Sequence, residues 1–534
     1  MKFTKRLASL ALSLMLIATC FTFAPELKAE AAKKSSGSSV AVTVGGALID
    51  GANVTIPTTG QAASDDGVYH LIASDVNQAG NTGLEVAQVP VAANVTFSVP
   101  LNKGQANSVL FKKFTVCVNK GGTITPVSNS MYISNPEACA GRSAYRMDNG
   151  KKGLLCDASS VNMGMRSLAD LGVKQATVSL PLSKISYGQG TPYVYNGKTY
   201  NFNSRYIAAF DNYLGRLNAQ GVQVTMILLV DQGAEQPFIS PYAYDGIGRH
   251  NYYGLNATTT EGIEILEAMG SFVASRWSGY SYFGMNAKVD NFIIGNEVNA
   301  WNEWNYMNCG GNLAVYTQEY ANAFRILYNA IKSENGNANV YICTDHQWAL
   351  NQKTVHGARS FITSFNNYIR AQGNIDWRLA LHAYNYPLNS VTAWAPSAKV
   401  QRSQNTQFIS VYNIDVVTDF LSQPDLLSPS GAVRTVKLAE QGYTSSQGEQ
   451  LQAAAITYAF LVAENNSHID GLILSREKDD PIIEIPQGLA NGILRSDNTA
   501  KASYNFYKNA GNPEYTAQAS GFAGVDLTTL LAPR

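Results

Sequence analysis

Eight short apolar runs, most of them followed by an amphipathic helical stretch, constrain the fold of this chain more than any other feature. They are GLLC near residue 153, QATVSL from 175, VQVTMILLV from 222, NFIIGN from 291, NVYICT from 339, WRLALHAY from 377, RTVKLAE from 434 and DGLILS from 470. Between them, SRYIAAFDNYLGRLNAQ, GIEILEAMGSFVASRW, VYTQEYANAFRILYNAIKSE and QLQAAAITYAFLVAENN repeat apolar residues at spacings of three and four, the period of a helix with one buried face. Eight strand-then-helix repeats in one block predict an α/β fold, a (β/α)8 TIM barrel over residues 147–525. The alternative, a doubly wound open sheet, lacks its Gly-rich phosphate fingerprint after a first strand.

Ahead of this block the rhythm differs. Residues 1–31 read as a signal peptide: a basic MKFTKR, an apolar LASLALSLMLIATCFTFA and a small-x-small site at Ala29-Glu30-Ala31. An uncleaved anchor is the competing reading. Residues 32–39 form a low-complexity linker. Residues 40–142 carry SVAVTV, ANVTI, VYHLIA, ANVTFSV, VLFKKFTVCV and SMYIS between Gly, Asn, Asp and Pro, which predicts a small all-β sandwich domain. It reads as a structural domain packed on its neighbour, with a carbohydrate-binding module as the alternative. The expected product is secreted or attached to the cell surface, with no integral membrane domain once the signal is removed.

Charge excludes some partners. Charged residues make up only 15% of the chain, and 39 Lys plus Arg balance 39 Asp plus Glu, so no electrostatic surface for nucleic acid or membrane is expected. The 29 tyrosines, with many Asn, Gly and Ser, suit a neutral, hydroxyl-rich ligand. Cys117 with Cys139, and Cys309 with Cys343, are conceivable disulfides. Small buried apolar residues are the competing reading. No Cys/His spacing resembles a metal set, and no cofactor is expected.

In a (β/α)8 barrel the chemistry lies where the strands end. Strand three ends in Asp231-Gln232, four in Asn296-Glu297, and five in Asp345, His346, Gln347 and Trp348. Strand six ends in His382, Tyr384 and Asn385, seven in Glu440-Gln441, and eight in Ser475-Arg476-Glu477. All are expected to converge on one cleft. Carboxylates from strands four and seven face each other across a barrel mouth, the arrangement that cleavage of a glycosidic bond requires. One carboxylic acid protonates the leaving oxygen, and the other, ionised, attacks or assists at the anomeric carbon.

The Asn-Glu closing strand four, LHAY at strand six and LAEQGY at strand seven resemble clan A, the four/seven superfamily of retaining glycoside hydrolases. More closely, IIGNEVNAWNEWNYM, HAYNYPL, AEQGYTS and GLILSREKDDP resemble a group of secreted bacterial barrel proteins catalogued as a domain of unknown function, over most of residues 147–510. The resemblance implies that Glu297 is the acid/base and Glu440 the nucleophile. It implies that Asn296 bonds the sugar 2-hydroxyl, Tyr384 lies against the nucleophile and His382 lines the site. Two positions depart from the superfamily pattern. ATVSLPLSK has no counterpart of the usual strand-two arginine, and Ser475-Arg476 stands where many members carry tryptophan.

Trp301, Trp304 and Tyr306, interleaved with Asn299, Asn302 and Asn305, suit a sugar surface, since aromatic faces stack on pyranose C–H faces while amides satisfy hydroxyls. The competing reading is that one or two of these rings pack the loop down. Trp348 or Trp394 is expected to join them, and Arg476 and Asp231 complete the candidate binding set. TPYVYNGKTYNF predicts a hairpin with an Asn-Gly turn and a Tyr-bearing cleft wall. The expectation is a secreted glycosidase that cleaves a β-linked polysaccharide or oligosaccharide by a retaining two-glutamate mechanism. A non-catalytic carbohydrate-binding or cell-surface protein on the same barrel is the alternative, and an inverting hydrolase a third reading.

Overall fold

The computed structural model describes residues 40–147, 150–156, 161–186, 190–282 and 285–533. The signal peptide and the linker, residues 1–39, therefore lie outside the described residues. Strands β1 (Val42–Val44), β2 (Leu48–Asp50), β3 (Asn53–Gly60), β4 (Val68–Ser74), β5 (Leu84–Pro90), β6 (Thr96–Pro100), β7 (Lys113–Lys120) and β8 (Thr123–Tyr132) form the N-terminal sheet. They make one hydrogen-bonded path, β3-β1-β8-β7-β4-β5, with β2 and β6 also pairing β3. All pairings are antiparallel except β1 with β8, which run parallel. The path curls until β5 lies against β6, so one bent sheet supplies both layers that the alternation predicts. Val42, Ile56, Tyr69, Leu71, Phe97, Phe114 and Val116 fill the space between them.

The eight apolar runs are the eight barrel strands. These are β9 (Lys152–Leu155), β10 (Gln175–Pro181), β13 (Gln223–Asp231), β17 (Asn291–Ile294), β18 (Asn339–Thr344), β19 (Trp377–Leu381), β20 (Val436–Gln441) and β21 (Ile469–Leu474). β11 (Gly190–Tyr195) pairs β12 (Lys198–Asn203), β14 (Tyr252–Tyr253) extends the end of β13, and β15 (Ser278–Tyr282) pairs β16 (Met285–Lys288). Every barrel pair is parallel, and β10 joins both β9 and β13 to close the ring. Helices Ser204–Ala219, Thr260–Arg276, Leu313–Glu334, Ala358–Ala371 and Glu449–Asn465 follow their strands.

Strand alternation separates two cores. Val224, Met226, Leu228, Phe292, Ile294, Val340, Ile342, Leu379 and Leu438 belong to the cluster shared with the helices. Ile227, Leu229, Ile293, Tyr341, Cys343, Ala380 and Ala439 form a second, interior cluster. The sheet domain is tied to the barrel by Lys103 Nζ on Glu334 Oε1 at 3.1 Å, by Asn329 Nδ2 donating to the Leu110 carbonyl at 3.1 Å, and by Arg325 stacked on Tyr132.

The hairpin β11–β12 turns through Asn196 and Gly197, both at positive φ, as its Asn-Gly requires. It does not wall the cleft. Tyr193 packs edge-on to Phe272 of the helix Thr260–Arg276 and Tyr195 edge-on to Phe111 of the sheet domain, so the tyrosine face of the ribbon is turned into the protein, while Val194 on the other face is exposed. No disulfide joins Cys117, Cys139, Cys309 or Cys343; they serve as small buried or half-buried residues.

Candidate active site

A cleft of about 530 Å³ opens at the C-terminal ends of the barrel strands, lined among others by Asn296, Glu297, Trp304, Tyr384, Glu440 and Arg476. Glu297 reaches it through an unusual backbone. After Gly295 at φ 77° the chain carries Glu297 itself at φ 39°, whereas every other described non-glycine residue at positive φ is an asparagine. The loop beyond is pinned from behind by the helix Leu313–Glu334. Tyr320 donates to the Ile294 carbonyl at 2.7 Å and Tyr316 to the Val298 carbonyl at 2.6 Å. Glu440 arrives by another device. Ala439 points into the barrel interior, so strict alternation would turn the next side chain outward. The β20–β21 register shifts between Leu438 and Gln441, an irregularity of the kind that re-aims a strand end.

His382 joins the two carboxylates. Its Nδ1 donates to Glu297 Oε1 at 2.8 Å and lies 3.7 Å from Glu440 Oε2. Those two oxygens are therefore no farther apart than the sum of the distances, 6.5 Å. Its Nε2 faces Cys343 Sγ at 3.3 Å. Tyr384 donates to Glu440 Oε2 at 3.1 Å. Burial pushes the Glu297 carboxyl up from its ordinary value, against the hydrogen bond and charge of His382. For His382 burial acts downward, but Cys343, Glu440 and Glu297 outweigh it and hold the ring well above its usual value. Burial, then the Glu440 charge, raises the Tyr384 phenol.

Asp345 also lines the cleft, with Oδ1 accepting from Asn299 Nδ2 at 2.6 Å and the Gln347 amide at 2.9 Å. His346 donates Nδ1–H to the Tyr384 carbonyl at 2.9 Å. Arg476 is held by Glu484, with Nη2 2.6 Å from Oε1. Trp304 stands in the cleft wall beside Tyr252, ring centroids 6.1 Å apart. Among the described residues no group of three or more His, Cys, Asp or Glu is gathered to hold a metal ion, and no helix is long and apolar enough to cross a membrane.

Several expected site residues lie elsewhere. Trp301 is buried against His356, and Trp348 is fully buried edge-on to Phe420. Trp394 is buried as well, and Tyr306 stacks on His250 with centroids 3.8 Å apart. Two of the three amides that suggested a sugar surface are structural: Asn299 ties the loop to Asp345 and to the His356 carbonyl, and Asn305 donates to the Tyr316 hydroxyl at 2.8 Å. Asp231 is absent from the cleft lining because Ser183 satisfies both its oxygens, the amide at 3.0 Å and the hydroxyl at 2.6 Å. Conversely, Cys343, Tyr252, Glu484 and Asn491 were missed. Only Cys343 left a signal, one residue from the end of an apolar strand and in phase with its inward face.

The architecture is a closed parallel (β/α)8 barrel whose mouth holds two carboxylates on the fourth and seventh strands. The chain belongs to the family of unknown function DUF5722, whose model matches residues 144–529, in agreement with the resemblance of its motifs to a catalogued group of that kind. No curated protein matches it. Among solved structures it is similar to a family 39 glycoside hydrolase from the gut symbiont Bacteroides cellulosilyticus WH2, at 13% identity and TM-score 0.46 over 84% of this chain and 77% of that one. It is also similar to Fpglu1 from Fervidobacterium pennivoraus, at 14% identity and TM-score 0.45 over 70% and 87%. A third is the family 1 β-glucosidase from Thermotoga maritima, at 12% identity and TM-score 0.40 over 66% and 86%.

Proposed function

We propose that this protein is a secreted retaining glycoside hydrolase acting on a β-linked oligosaccharide or polysaccharide. The observation that carries the reading is the pair of carboxylates sharing His382 Nδ1. Two of their oxygens are at most 6.5 Å apart, a limit that admits the separation of about 5–5.5 Å in retaining pairs and touches only the short end of the range of about 6.5–9.5 Å in inverting ones. Glu297, its carboxyl raised by burial, protonates the leaving oxygen. Glu440 attacks the anomeric carbon to give a glycosyl-enzyme, and Glu297 then takes a proton from the water that releases it. Tyr384 orients the nucleophile through its 3.1 Å bond, and Asn296 is the group for the 2-hydroxyl.

The lining charges narrow the substrate. Glu297, Asp345, Glu440 and Glu484 face the cleft, and Arg476 is already engaged by Glu484. An excess of negative charge disfavours uronate or sulfated sugars and favours neutral ones, with Trp304 and Tyr252 as stacking faces. The test is a panel of neutral and acidic β-glycans and aryl β-glycosides, with NMR of the first anomer released. Retention on a neutral substrate is expected. An inverted product would replace the mechanism, and saturable binding without turnover across the panel would leave the non-catalytic reading.

A further inference from the structure

At the opposite end of the barrel, where the strands begin, lies a second polar cavity of about 370 Å³. We infer that it is a binding site for a tetrahedral dianion such as phosphate or sulfate, held by Arg146, Arg378 and Lys332.

The charge distribution is the reason. Arg146, Lys332 and Arg378 line the cavity with only two carboxylates, Asp376 and Asp470. Each carboxylate already has a cation behind it: Lys437 Nζ stands 3.0 Å from Asp470 Oδ1, and Arg434 Nη1 3.8 Å from Asp376 Oδ1. Asp470 Oδ2 further accepts from Tyr341 at 2.7 Å and Thr435 at 2.6 Å. Arg378 shares both carboxylates, with Nη2 3.7 Å from Asp376 Oδ2 and Nη1 3.9 Å from Asp470 Oδ2, whereas Arg146 and Lys332 meet neutral oxygens. Arg146 donates to the Asp290 carbonyl at 2.5 Å and the Asn337 carbonyl at 3.1 Å, and Lys332 to the carbonyls of Gly336 and Ala338. With its amide turned to satisfy both, Asn339 offers one carbonyl oxygen to Arg378 Nη1 at 3.1 Å and to Arg146 Nη2 at 2.9 Å.

Two guanidiniums thus converge on one neutral acceptor, and Arg146, Lys332 and Arg378, with Arg434 and Lys437 behind them, outnumber the two carboxylates of the cavity. Planar guanidinium forks are the donors suited to bidentate capture of an oxyanion, and a dianion offsets the excess. This end of a barrel serves stability rather than chemistry, so occupation is expected to raise stability by mass action and leave turnover unchanged.

The experiment is thermal unfolding of the intact protein titrated with sodium phosphate, sodium sulfate or sodium chloride at matched ionic strength. A saturable rise in Tm with phosphate or sulfate beyond that with chloride is expected, with apparent Kd weakened at least about tenfold in Arg146→Gln and in Arg378→Gln. Glycerol phosphate distinguishes a free ion from a phosphate carried on a larger molecule; either supports the site. Identical curves for all salts overturn it, as does an undiminished phosphate response in the double variant. If either variant does not fold, Lys332→Gln takes its place, because sulfate and phosphate also raise Tm by exclusion from the protein surface and only a cavity variant separates the two effects.

Discussion

Cys343 Sγ lies 3.3 Å from His382 Nε2, so the ring nitrogen that does not face Glu297 ends on a thiol inside the barrel. An imidazolium in that position has an acceptor at both nitrogens. Cys343→Ala removes one and leaves a buried N–H without a partner, at a cost of about 1–3 kcal/mol. It also lowers the affinity of His382 for its proton. With less cationic character beside it, Glu297 loses its main downward influence and its pKa rises further. The alkaline limb of the pH–rate profile should therefore move to higher pH in Cys343→Ala and stay near wild type in Cys343→Ser. Loss of Tm with an unmoved profile would reduce Cys343 to packing.

The two glutamates should fail differently. Glu440→Gln is expected to abolish formation of the glycosyl-enzyme. Glu297→Gln should lower kcat/KM by about 10²–10⁴-fold, most for substrates with poor leaving groups, because only those need a proton delivered. Near-normal rates in both variants on a confirmed substrate would sink the assignment.

Trp304 and Trp301 separate binding from packing. Trp304→Ala should weaken oligosaccharide binding by about 1–3 kcal/mol with little change in Tm. Trp301→Ala should instead cost about 3–5 kcal/mol of stability. Isothermal titration and calorimetric unfolding on the same two proteins give the comparison, and a reversed pattern would show that the cleft wall has been drawn wrongly.

Glu267 makes stability depend on pH. It is buried in the helix Thr260–Arg276, accepts from Asn196 Nδ2 at 2.8 Å, and is pushed up to about 8 by burial, partly opposed by Lys112. The folded state holds this proton more tightly than the unfolded chain. Its contribution is thus complete below the ordinary glutamate value and is lost as pH rises toward 8, at about 1.4 kcal/mol per unit. Glu267→Gln should raise Tm at pH 8 and above and flatten its dependence on pH between 5 and 8. An unchanged slope would mean that other groups carry it.

Much of this was legible because parallel strands covered by helices are written as apolar runs, and the polar residues that end them fall at the barrel mouth. Strand β5 was not, since LEVAQVP has no buried face to leave a pattern. In the site, Glu297, Glu440, His382 and Tyr384 follow from strand ends alone. Trp301 and Trp348 do not, because a residue's distance from a strand end says nothing of which way a loop turns it. Asn299 misled for a physical reason: a buried amide satisfied by Asp345 and a carbonyl has the same composition as one waiting for a hydroxyl.

The left-handed backbone at Glu297 sets fold and chemistry against each other. A side chain there costs on the order of 1–2 kcal/mol that glycine would not. Glu297→Gly relieves that cost but leaves the buried His382 Nδ1–H without its acceptor, about 1–3 kcal/mol in the other direction. A library sorted by heat resistance should therefore be blind to this position, and one sorted on substrate should hold it fixed.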